Sequence, residues 1–169
     1  QENLRTIMTQ NLVDKTSFLQ LRPKYSNDGK RKVFQKFFGT KTMGEVLKPV
    51  FVTAYDVELR KPILLKSYEH PETLIVEAAN ATSAAPIYFP TASMRNNSWL
   101  IDGGIAANNP ALLAYVEAKK LFKGEQIKVF AIGTGLNRRK IDGKRSEDWG
   151  AIGWLKNDIL GIMVESSLQ

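Results

Sequence analysis

Asp102 is the carboxylate best placed to do chemistry in this sequence. It follows the apolar run Trp99-Leu100-Ile101 and precedes Gly103 and Gly104. A short run of β-forming side chains reads as a strand, so Asp102 is expected at a strand's carboxyl end, where α/β folds place their sites. Two glycines without Cβ atoms let the backbone turn sharply and let a second group approach closely. A carboxylate held there can orient or deprotonate a nucleophile. Spacing and position alone favour a plainer reading. Asp-Gly is a common turn pair, and Asp28-Gly29 and Asp142-Gly143 occur in the same chain.

The remaining reactive side chains narrow the options. There is one histidine, His70, between Glu69 and Pro71 in an expected loop, where it reads as an exposed loop residue. A Ser-His-Asp triad is therefore not readily assembled from these residues. There are no cysteines, so disulfides, thiolate zinc sites and a cysteine nucleophile are excluded and the redox compartment stays open. No cofactor is expected. No serine lies in a Gly-x-Ser-x-Gly elbow. Ser83 sits among Ala81, Thr82, Ala84 and Ala85, which make no strained strand-to-helix turn, and it reads as structural. Gly133-Thr134-Gly135 lacks the further glycine of a dinucleotide fingerprint and reads as a turn packed near the site. Asn108 and Asn109 lie close to Asp102 in sequence, and Asn109 before Pro110 reads as a helix cap.

The elements that would position Asp102 follow from periodicity and punctuation. Residues 1–38 are polar and mixed, with turn signals at Arg22-Pro23 and Asn27-Asp28-Gly29 and a short helix expected over Gly29–Phe38. Thr42 with Glu45 three residues later forms a capping-box pattern at another short helix. Pro49–Asp56 and Ile63–Ser67 read as strands of a hairpin or as neighbours, separated at Lys61-Pro62. Thr73–Ala81 reads as an Ala-rich helix able to approach a sheet closely. A helix from Asn109 through Phe122, apolar over more than half its circumference, is expected to be well buried and to stop at Gly124. Ile127–Ile132 reads as a buried strand, and Trp149–Met163 as an amphipathic helix. Strands alternating with helices indicate an α/β layered fold with a largely parallel sheet.

Several of these blocks, in order, resemble the patatin-like phospholipase family. They are Phe51-Val52-Thr53-Ala54-Tyr55-Asp56 with Lys61-Pro62 and Lys66-Ser67, then Ala78 through Pro90, then Leu100-Ile101-Asp102-Gly103-Gly104 through Ala111. Ile132-Gly133-Thr134-Gly135 and Trp149-Gly150 with Gly153-Trp154-Leu155 complete the set. The resemblance runs from about Tyr25 to Leu155.

It implies a three-layer α/β/α sandwich with a mostly parallel sheet, incomplete at its N-terminal side. It also implies a lipid acyl hydrolase of phospholipase A or lysophospholipase type, with a serine–aspartate dyad. Asp102 would be the aspartate, and Gly103 and Gly104 its positioning glycines. The serine elbow and the Gly-rich oxyanion loop would lie upstream of Gln1. The 169 residues would then be the C-terminal portion of one domain, cut at both ends, and inactive alone. An acyltransferase of the same fold and a catalytically inactive interaction module are the competing implications.

Charge and hydropathy set the expected partners. The net charge is +7, with basic clusters at Lys30-Arg31-Lys32 and at Arg138-Arg139-Lys140 with Lys144 and Arg145. Neither is interleaved with aromatics as stacking on bases requires, so nucleic acid is not an expected partner. Weak attraction to anionic head groups suits a phospholipid or other acyl-lipid substrate and peripheral contact with a membrane surface. No run of roughly 18 apolar residues exists to span a bilayer. A soluble protein, cytoplasmic or peripheral to a membrane, is expected. The dyad needs no metal, and no acidic loop has calcium-ligand spacing.

Overall fold

A computed structural model describes residues 2–9, 22–135 and 140–165. The chain divides into two units, Gln1–Ala106 and Ala107–Gln169.

The first unit is built on a four-stranded sheet. β1 (Phe51–Asp56) and β2 (Lys61–Lys66) form a hairpin, and β3 (Ala92–Ser93) and β4 (Trp99–Asp102) form a second pair. The strand order is β2-β1-β4-β3. The hairpin closes because Asp56 accepts backbone N–H groups from Glu58 at 3.0 Å and Leu59 at 2.8 Å. These bonds also satisfy a carboxylate that is only 2% exposed. Pro62 stands opposite Tyr55 in the pairing, tolerated because β2 is the sheet's edge.

Every pairing is antiparallel: β1 with β2, β1 with β4, and β3 with β4. The α/β class holds, but the expected parallel sheet does not describe these strands. Four residues, Val57–Arg60, join β1 to β2, and five, Met94–Ser98, join β3 to β4. Connections that short can only reverse the chain, since a parallel pair needs a crossover of a dozen or more residues. β3, two residues long, is too short to show a sequence period.

α3 (Ile75–Thr82) packs on β1, β3 and β4. Its alanines carry this contact. Ala78, Ala81 and the following Ala84 join Ala54, Leu65, Ala92, Met94 and Leu100 in the core. Small side chains let the helix axis come close to the sheet, as the Ala-rich pattern implied. α2 (Asn27–Phe38) packs against α3, and α1 (Glu2–Ile7) against α2. α2 starts two residues before the expected Gly29, so the Asn27-Asp28-Gly29 turn signal became a helix start. The Thr42–Glu45 capping box is present, closing a 3-10 turn over Met43–Glu45.

The second unit departs further from expectation. α4 (Gly104–Ala107) spans the boundary between the units, and α5 (Ala111–Leu121) follows. Asn109 Oδ1 accepts the Ala111 N–H at 3.1 Å, and the N-cap of α5 is Pro110, one residue after the expected Asn109. α5 is not well buried: Leu112 is 73% exposed, and Tyr115, Val116 and Leu121 are exposed too. Gly124 sits three residues past the helix with φ 82°. Ile127–Ile132 forms no strand, and Phe130 and Ile132 are almost fully exposed. A β-forming run needs a neighbour to pair with, and no described strand supplies one. The expected C-terminal helix is two, α7 (Ala151–Lys156) and α8 (Ile159–Glu165), interrupted where Asp158 takes φ 66°. Before them lies α6 (Gly143–Ser146), whose N-cap is the Asp142 of the Asp-Gly pair read as a turn. Of the second basic cluster, Arg138 and Arg139 lie outside the described residues.

Candidate active site

Asp102 is the last residue of β4, an inner strand paired on both sides. It faces Ala54 of β1 in the pairing, and its backbone N–H donates to the Ala84 carbonyl at 3.1 Å, just past α3. The strand end is thus tied both to the sheet and to the segment that follows α3. Asp102 Oδ1 accepts the Gly104 N–H at 2.7 Å, a short bond that fixes the carboxylate over the turn. Among the described residues no hydrogen bond reaches Oδ2.

Gly103 explains itself. A Cβ there would run into the backbone carbonyl and hydroxyl of Thr53 on β1. The chain leaving β4 passes so close to β1 that only glycine fits. Gly104 contributes its N–H to the carboxylate and begins α4.

Burial pushes the Asp102 carboxyl above its ordinary 3.8, while the Gly104 N–H and the positive charge of Lys30 pull it partly back. A carboxylate raised in this way is a stronger base than a solvated one.

Lys30 is the residue that the sequence reading passed over. In Lys30-Arg31-Lys32 it looks like one of three solvated cations, yet it is 2% exposed. Its ammonium donates to the Ser83 carbonyl at 2.9 Å, and to the Asn80 carbonyl and the Ser83 hydroxyl at 3.3 Å each. It also lies 4.2 Å from the centre of the Phe89 ring, a cation–π contact. Desolvation lowers its pKa from 10.5 to about 8, against an opposing pull from Asp102. The available signal was helical phase. Gly29, Lys30 and Val33 share the buried side of α2, whereas Arg31 and Lys32 point to solvent.

Ser83 is structural in its bonding. Its hydroxyl donates to the Ala79 carbonyl at 2.6 Å and accepts from Lys30. His70 is a loop residue but half-buried, not exposed. Its Nδ1 accepts the Lys66 N–H at 3.2 Å, which leaves the proton on Nε2. Gly133–Gly135 is exposed and without regular structure, in the other unit from Asp102.

The segment after α3 carries backbone strain. Ile87 has φ 71°, which is unfavourable for a β-branched residue. Its carbonyl and that of Tyr88 accept the N–H groups of Lys24 and Tyr25 at 2.9 and 2.8 Å. The Tyr25 and Phe89 rings meet at 5.4 Å. The loop that supplies Ala84 to Asp102 and Phe89 to Lys30 is therefore held from both sides.

The family model described as patatin-like phospholipase matches residues 2–115, an interval that holds α1 to β4 and Asp102. The chain belongs to the patatin-like phospholipase family. Patatin-like protein 1 of Arabidopsis thaliana is 29% identical over 92% of this chain and 45% of its own length. Patatin-like protein 2 of the same plant is 30% identical, over 80% of this chain and 40% of its own. A cGAMP-activated phospholipase of Pseudomonas aeruginosa (strain BWHPSA011 / Pa011) is 31% identical, over 79% and 43%. This patatin-like chain thus spans less than half the length of these curated relatives. Among its described residues no helix is long and apolar enough to cross a membrane.

Proposed function

We propose that these residues are the carboxyl-terminal part of a lipid acyl hydrolase domain in which Asp102 is the general base of a serine–aspartate dyad. The observation that carries the reading is the state of Asp102. It is a half-buried carboxylate at the end of an inner strand, anchored through one oxygen, with its proton affinity raised. Family membership supplies the reaction class, hydrolysis of a lipid acyl ester.

The nucleophilic serine, absent from Gly-x-Ser-x-Gly context in these 169 residues, belongs in this reading to polypeptide upstream of Gln1. Its oxygen attacks the ester carbonyl while its proton passes to the Asp102 carboxylate. The tetrahedral oxyanion is held by backbone N–H donors of the upstream loop, worth roughly 3 kcal/mol each in comparable sites. Collapse breaks the acyl–oxygen bond, and Asp102 returns the proton to the departing alcohol. Asp102 then deprotonates a water that attacks the acyl-serine, and the serine recovers its proton as the fatty acid leaves. A carboxylate replaces the usual histidine in each proton transfer. His70 takes no part in this reading; its Nδ1 accepts the Lys66 N–H.

The test is Asp102→Asn in the natural full-length protein, assayed on phospholipid and lysophospholipid. Turnover is expected to fall about 10²- to 10⁴-fold, the range for loss of a general base, with the fold intact. Turnover within a few-fold of the parent would overturn the reading.

A further inference from the structure

Lys30 is a buried cation that the proposed proton transfers do not use. Burying an ammonium is costly unless it is fully bonded, and here it reaches two backbone carbonyls, a hydroxyl and an aromatic face. Its anchors have a specific relation to Asp102. The ammonium binds the Ser83 carbonyl, and the Asp102 N–H binds the carbonyl of the very next residue, Ala84. Helix α2 and strand β4 therefore grip adjacent peptide units at the end of α3. A cation fixed at that point keeps its charge close to the carboxylate.

Resting on the reading of Asp102 as base, we propose that Lys30 is a positioning residue of this site, which holds the Ser83–Ala84 segment against β4 and brings a fixed positive charge to bear on the carboxylate. The other charged and titratable groups nearby are already committed. Asp56, on the same sheet face of β1, is held by the Glu58 and Leu59 N–H groups. Glu77 of α3 pairs with Arg95 at 3.2 Å, and Tyr25 packs on Phe89. Among the described residues Lys30 is a charge that acts on Asp102, and the influence is mutual.

The experiment measures that coupling in the full-length protein. Lys30→Met removes the charge and keeps the length of the side chain. The acid limb of its kcat/KM profile is expected to move to higher pH. The ¹³C-detected titration of Asp102 should move with it. Lys30→Arg, which keeps the charge, should return the limb towards its original position. A purely structural lysine would lower activity at every pH and leave the limb in place, and that result would overturn the proposal.

Should Lys30→Met not fold, Asp102→Asn gives the reciprocal measurement, because coupling between two sites is symmetric. With the carboxylate gone, the Lys30 ammonium, followed by its ¹³Cε shift, is expected to titrate below its value in the parent. An unchanged Lys30 titration would overturn the proposal. Neither NMR readout needs turnover. Loss of the coupling is therefore distinguishable from an active Asp102→Asn enzyme, which would sink the functional reading instead.

Discussion

At the scale of the residue, Lys30 is buried and Asp102 half-buried, and folding works against charge at both. The Asp102 carboxyl is raised above its ordinary value when folded. Between the unfolded and folded values, the folded chain keeps a proton that the unfolded chain has released. Stability attributable to Asp102 therefore falls as pH rises through that interval and stays lower at neutral pH. Asn at this position keeps an oxygen to accept the Gly104 N–H and carries no charge. Asp102→Asn is expected to raise Tm at pH 7. The gain should vanish near pH 3, where the parent carboxyl is protonated in both states. Thermal melts of both proteins across that range check this, and a lower Tm for the variant at pH 7 would contradict the account.

At the scale of the element, the site depends on how β4 leaves the sheet. Trp99, Leu100 and Ile101 are β-formers, and Leu100 is 1% exposed beneath α3. Gly103 then passes against Thr53, with no room for a side chain. Gly103→Ala is expected to cost about 1–3 kcal/mol of stability, the usual range for overpacking, because the obstacle is rigid backbone. It should also lower turnover by displacing Asp102. Urea denaturation with a parallel activity assay tests both, and an unchanged midpoint would show that β1 and β4 can separate at no cost. The hairpin, the capping box, α2, α3 and β4 were all legible from residue types, since each is fixed by local chemistry. The direction of β4 against β1 was not, because it depends on which strands become neighbours. The same applies to α5 and to Ile127–Ile132, whose apolar side chains read as buried although Leu112, Phe130 and Ile132 are largely exposed.

At the scale of the whole molecule, the charge of +7 is distributed unevenly in meaning. Lys30 is internal, while Arg31, Lys32 and Lys36 line a shallow surface groove on α2 with Gln35. We propose that this exposed face gives a weak attraction to anionic lipid. Replacing Arg31→Glu and Lys36→Glu together should weaken binding to vesicles of phosphatidylglycerol and phosphatidylcholine by about thirtyfold or more, given ~1 kcal/mol per basic residue near a charged surface. The difference should disappear at about 0.5 M salt, where the Debye length falls to a few ångströms. Sedimentation with vesicles measures it, and equal binding by parent and variant at low salt would refute this placement.

By itself the sequence determined the family, the α/β class and the position of Asp102 before two glycines, because these rest on residue type, order and short-range spacing. Tertiary structure decided what those residues face. It placed Thr53 against Gly103 and Ala84 on the Asp102 N–H. It also turned one lysine of a basic triplet inward to bind the segment next to the carboxylate. Burial and charge coupling depend on contacts between residues far apart in the chain, such as Lys30 and Ser83, 53 positions apart. Helical phase marks Lys30 as facing inward, but no local pattern specifies the partners it meets there.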